Sequence, residues 1–80
     1  MTLDKAFGTV LQRRRTIIGI SQEELAFRCE LDRSFISLLE RGKSSPTLKS
    51  IALLSKQLGV LPSTIIREAE DILQKNDQSF

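Results

Sequence analysis

Apolar residues recur along this chain at three- and four-residue steps in five short stretches, the pattern of amphipathic helices. Ala6, Phe7, Val10, Leu11, Arg14 and Ile18 predict a first helix from Asp4 to about Ile18, ended by Gly19. Ser21 then opens a second helix with a capping box, its hydroxyl set to bond the Glu24 amide while Glu24 reaches back. Ile20 and Leu25 stand at the two positions of a hydrophobic staple, and Leu25, Ala26 and Cys29 form the buried stripe. Asp32 is the expected N-cap of a third helix, flanked by the staple pair Leu31 and Ile36. Ile36 and Leu39 face inward there, and Gly42 is the stop.

Ser45-Pro46 reads as a cap followed by proline, opening a fourth helix with Leu48, Ile51, Leu54 and Leu58 inward and Gly59 at its end. Pro62 starts a fifth helix, about 62–75, carrying Ile65, Ile66, Ala69, Ile72 and Leu73. No segment alternates with period two for long enough to be a strand. The expected fold is all-α, five helices in a single domain over residues 1–80.

Composition narrows the function classes. The one cysteine, Cys29, has no partner for an internal disulfide, and with no histidine no zinc or nucleophile constellation can be assembled. Cys29 shares a face with Leu25 and reads as a small buried hydrophobe. No Gly-rich phosphate loop or paired carboxylates mark a catalytic cleft, so an enzyme is the weakest reading and no cofactor or metal is expected. No apolar run approaches the roughly 20 residues of a membrane span and no signal-peptide core stands at the N-terminus; a cytoplasmic setting is expected. The net charge of +2 decides little, but residues 1–60 hold ten Lys/Arg against six Asp/Glu, while 61–80 hold two against four. The basic part is the first three-quarters of the chain, as expected if the last helix sits away from phosphate.

The stretch from Ser21 to Lys43 has the outline of a helix-turn-helix reader of double-stranded DNA. With Ile36 and Leu39 inward, Arg33, Ser34 and Ser37 point outward near the start of the third helix, where side chains reach base edges. Arg33 can pair bidentately with a guanine, worth about 1–3 kcal/mol of discrimination; the two serines are weaker readers. Phe35 stands evenly between pressing on DNA and packing at the core edge. Arg28, Lys49 and Lys56 read as solvated surface, with an approach of Lys49 to phosphate left open.

Gln22, Leu25-Ala26, Ile36-Ser37, Glu40-Arg41-Gly42-Lys43 and Pro46 resemble the phage repressor/Cro-type (Xre) helix-turn-helix family over about residues 5–60. The resemblance implies a lambda-repressor-like fold in which Gln22 bonds a phosphate and braces Arg33, while Arg41 and Lys43 face the DNA backbone. It also implies an ion pair between Arg15 and Glu40 tying the first helix to the reading helix, a structural role. In Arg13-Arg14-Arg15 the other members read as a solvated face. Some activators of the family touch RNA polymerase near the positions of Glu23 and Glu24; acids also suit a helix N-terminus, which is the stronger account here.

Family members bind two-fold operators as homodimers, and the fifth helix carries more apolar surface than so small a domain readily buries. One of its rows, drawn from Ile65, Ala69 and Ile72 or from Ile66 and Leu73, is expected to dock on the first and fourth helices while the other meets its copy. Length and the Leu31–Ser37 segment resemble restriction-modification controller proteins in particular. A generic Xre repressor of phage or chromosomal origin and an antitoxin-like interaction module remain the alternatives, and no small-molecule effector pocket is evident.

Overall fold

Five helices follow one another in the computed structural model, which describes residues 1–76: α1 (Leu3–Ile18), α2 (Gln22–Cys29), α3 (Arg33–Glu40), α4 (Leu48–Leu58) and α5 (Pro62–Lys75). No strand occurs among the described residues. The caps explain most of the boundaries. Thr2 Oγ1 accepts the Lys5 amide at 3.1 Å and starts α1, and Ser21 Oγ accepts the Glu24 amide at 3.0 Å and starts α2. Pro62 occupies the first position of α5, where a missing N–H costs nothing.

α1 packs along α5 and across α3, and α2 bridges α3 and α4. Their inward faces form one core of Ala6, Phe7, Val10, Leu11, Leu25, Ala26, Cys29, Ile36, Leu39, Ile51, Leu54, Leu58, Ile65, Ala69 and Leu73. Truncating a fully buried member such as Leu39 to alanine would cost about 2–5 kcal/mol. α1 and α3 approach closely at Gly8. A Cβ there would lie 2.2 Å from the Leu39 carbonyl oxygen and 2.7 Å from that of Glu40, so α1 rests its backbone on the end of α3.

Several expectations are corrected. Half of the Ser21 capping box forms; the Glu24 carboxylate instead takes the Arg28 Nε–H at 2.8 Å, one turn along. Asp32 sits in N-cap geometry without a side-chain hydrogen bond. α4 begins two residues later than Ser45-Pro46 implies. The Ser45 hydroxyl is engaged with Asp4 Oδ2 at 2.6 Å, while Thr47 and Ser50 form a reciprocal capping box at 3.0 and 2.8 Å. Leu48, now the first residue of α4, points outward and is 88% exposed, and Ile18 is also exposed. Arg14 lies outside the apolar stripe. Its guanidinium grips Glu68 through two bonds, one of them Nε to Oε1 at 3.1 Å, joining α1 to α5. Each partner is about a quarter exposed.

The rows of α5 also sort differently. Ile65, Ala69 and Leu73 are fully buried within the one chain, Ile72 is partly buried, and Ile66 is 37% exposed. The successive i, i+4 steps from 65 to 73 keep Leu73 on the inward face. Ile65, Ala69 and Leu73 are thus unavailable to a second molecule.

Candidate nucleic-acid interface

α3 is fixed by a polar cluster at its C-terminal end. Arg15 Nε and Nη2 donate to the two carboxylate oxygens of Glu40 at 2.6 and 3.0 Å, a fork-on-fork pair. Gln22 Nε2 donates to Glu40 Oε1 at 2.9 Å, and Arg15 Nη1 donates to the Ile20 carbonyl at 2.9 Å. One carboxylate therefore gathers α1, the first turn of α2 and the α1–α2 turn onto the reading helix. The Glu40 side chain is 3% exposed and that of Arg15 14%. The hydrogen bond to Glu40 raises the Arg15 guanidinium pKa further, against the opposing pull of burial.

The Arg15–Glu40 pair thus stands where the resemblance places it. Gln22 differs. Its amide nitrogen is bonded to Glu40, and no bond to Arg33 forms. Gln22 contributes to the orientation of α3 through Glu40 instead.

At the other end of α3, Arg33 and Ser34 are exposed, and neither makes a side-chain hydrogen bond or ion pair among the described residues. Ser37 is half-buried, and its Oγ accepts the Arg41 Nε–H at 3.3 Å, one turn on. Arg41 and Lys43 are both exposed past the helix end, where Gly42 reverses the chain with a φ of 70°. A short helix with a cation at its first residue, hydroxyls along its outward side and two cations beyond it can seat in a major groove with phosphates at its end. Phe35 takes the packing role. It is half-buried against the core and lines a surface groove of about 520 Å³ with Cys29, Leu31 and Leu53. That groove, behind the reading helix, has no counterpart in the sequence reading.

The turn between α2 and α3 is made by Glu30 in the left-handed region, φ 56° and ψ 41°, the one such residue other than glycine among those described. Sequence reasoning missed it because no glycine or asparagine marks the turn. It also missed Gly8, although an isolated glycine within a helical pattern is itself a signal of close backbone approach. Burial pushes the Cys29 thiol pKa up, and its Sγ lies 3.6 Å from the Leu53 carbonyl oxygen. Among the described residues no helix is long and apolar enough to cross a membrane.

Residues 11–65 match the family model described as helix-turn-helix. The control protein C.BamHI of Bacillus amyloliquefaciens is 44% identical over 57 residues, 71% of this chain and 70% of that protein. The crystal structure of the restriction-modification controller protein C.AhdI from Aeromonas hydrophila superimposes with a TM-score of 0.76 at 39% identity. It covers 78% of this chain and 94% of its own. The clp gene regulator ClgR from Corynebacterium glutamicum gives a TM-score of 0.88 at 26% identity, covering 96% of this chain and 84% of its own. The chain belongs to the Xre-type helix-turn-helix family of transcriptional regulators and is similar to restriction-modification controller proteins.

Proposed function

We propose that this protein is a homodimeric, sequence-specific regulator that reads a two-fold operator and acts as the controller of a restriction-modification system. The observation that carries the DNA-reading part is the state of α3: anchored through Glu40 at one end, with an unpaired, exposed Arg33 at the other. Arg33, Ser34 and Ser37 read base edges, while Arg41 and Lys43 hold the flanking phosphates. Function then needs only binding, with no chemical step, no cofactor and no membrane; the site of action is the cytoplasm, where the operator is. Similarity to C.BamHI and C.AhdI supports the controller role, and the likeness to ClgR keeps a general regulator as the alternative.

A single α3 reads too few base pairs for useful specificity, so two copies bind half-sites about one helical turn apart. The apolar surface left over by folding supports the pairing. Leu3 and Ile66 line one shallow depression with Phe7, Pro46 and Ile51, and the exposed Leu48 precedes Ile51 by three residues on α4. Leu61, 68% exposed, stands just before α5. The dimer face therefore combines Ile66 with Leu48 and Leu3, while Ile72 lies apart, beside Thr9, Arg13 and Glu68. A further contact, with RNA polymerase, draws support from α2, where Phe27 is 79% exposed beside Glu23 and Glu24.

Sedimentation analysis of the wild type and of Leu48→Glu and Ile66→Glu tests the pairing. A micromolar dimer that both variants convert to folded monomer is expected. A wild-type monomer that pairs only with a foreign helix would favour the antitoxin-like module. Footprinting across the promoter of the protein's own gene tests the controller role, with protection of two symmetric half-sites expected.

A further inference from the structure

We propose that Lys5, in the first turn of α1, is a phosphate-contacting residue, so that α1 as well as α3 grips the DNA backbone. This rests on the reading of α3 as the DNA-reading helix. The placement comes from Gly42, where a Cβ would lie 2.8 Å from Lys5 Cα, 3.0 Å from Lys5 Cβ and 3.2 Å from Lys5 N. The turn after α3 thus lies flat on Lys5, and the lysine side chain starts from the same patch of surface as Lys43, the next residue.

One bond holds that juxtaposition: Ser45 Oγ donates to Asp4 Oδ2 at 2.6 Å, pinning the loop to the first turn of α1, a turn that Thr2 caps by accepting the Lys5 amide at 3.1 Å. Farther along the same side of α1, Gly8 rests on the Leu39 and Glu40 carbonyls and Arg15 on the Glu40 carboxylate. One edge of α1 is therefore registered against the end of α3 from residue 5 to residue 15.

Lys5 itself is exposed and makes no side-chain hydrogen bond or ion pair among the described residues. At about 100° per residue it lies some 200° round the helix from Leu3, away from the apolar depression assigned to pairing. With Arg41 and Lys43 it makes three cations around one glycine turn. Asp4, the acid beside them, has one carboxylate oxygen engaged by Ser45. Such a cluster attracts the phosphates flanking a groove-bound α3 and carries no base information.

The test is the salt dependence of binding to a duplex of random sequence, for the wild type, Lys5→Gln, Lys5→Arg and Lys56→Gln. Lys56, exposed near the end of α4, controls for the loss of one unit of net charge. Each phosphate contact contributes about 0.9 to the slope of log K against log salt. Lys5→Gln should lower the slope by about 0.9 per bound protomer, with Lys5→Arg and Lys56→Gln near the wild type and all four melting alike. A wild type that binds with the slope unchanged in Lys5→Gln, or lowered equally in Lys56→Gln, overturns the assignment of Lys5 alone. A wild type that forms no complex overturns the DNA-reading helix and Lys5 with it.

Discussion

Removing Arg15 should damage this fold more than removing both members of its ion pair. The Glu40 carboxylate is 3% exposed and accepts two bonds from Arg15 and one from Gln22. In Arg15→Ala it keeps the Gln22 bond alone, a nearly buried charge without a counter-charge, which costs about 3–5 kcal/mol. A domain of 80 residues has about 4–12 kcal/mol of stability to lose, from roughly 0.05–0.15 per residue. Arg15→Ala should therefore be close to unfolding at 37 °C. Glu40→Gln keeps the shape and an acceptor, and Arg15, with its bond to the Ile20 carbonyl, retains a partner; about 1–3 kcal/mol is expected. Replacing both residues with apolar ones of similar size, Arg15→Met with Glu40→Leu, removes the stranded charge and should restore much of the loss. Urea unfolding followed by circular dichroism at 222 nm, for the wild type, Arg15→Met, Glu40→Leu and the double variant, gives the four free energies of the cycle. A double variant more stable than the sum of its singles by about 1–3 kcal/mol is expected. Strict additivity would refute the claim that this pair joins α1 to α3.

Further outcomes follow from the same packing. Gly8→Ala puts a methyl group 2.2 Å from a carbonyl oxygen, so despite alanine's helix preference it should lower stability by about 1–3 kcal/mol, read by thermal melting. Glu30→Gly relieves a left-handed residue that makes no side-chain bond, and the urea midpoint should rise by about 0.5–1 kcal/mol equivalent. Burial raises the Cys29 pKa in the folded state, so the stability it contributes is full below the unfolded thiol's pKa. That contribution falls as pH climbs through about 8.5 and is gone above the folded pKa. Urea midpoints from pH 7 to 10 should fall more steeply in the wild type than in Cys29→Ala, and native Cys29 should react slowly with thiol reagents.

The number and order of helices follow from the sequence because apolar spacing marks each one, and Gly19, Gly42 and Gly59 stop three of them. The inward faces of α2 and α3 are equally legible, since Leu25, Ala26, Cys29, Ile36 and Leu39 leave those helices one way to pack. Boundaries set by tertiary contacts were harder to read. Ser45 has the chemistry of a cap, yet Asp4, 41 residues away, takes its hydroxyl, and the cap passes to Thr47. The Arg14 and Glu68 pair is 54 residues apart and has no local signature. In α5, 65-69-72 and 65-69-73 are both helical spacings; only the packing against α1 selects Leu73. The polar set on α3 was legible because outward direction follows from the inward pair, whereas Phe35 lies between the two faces, half-buried at the edge of the core.

The most direct test of the account is a comparison of wild type and Arg33→Ala on two duplexes, one enriched by the wild type from a random-sequence pool and one random. Enrichment should yield a symmetric site. Arg33→Ala should cut the ratio of enriched to random affinity by about 5- to 150-fold per half-site, the equivalent of about 1–3 kcal/mol. Binding to random duplex should fall by little more than the loss of one charge. No enriched sequence, or a ratio that Arg33→Ala leaves unchanged, would contradict the claim that α3 reads DNA.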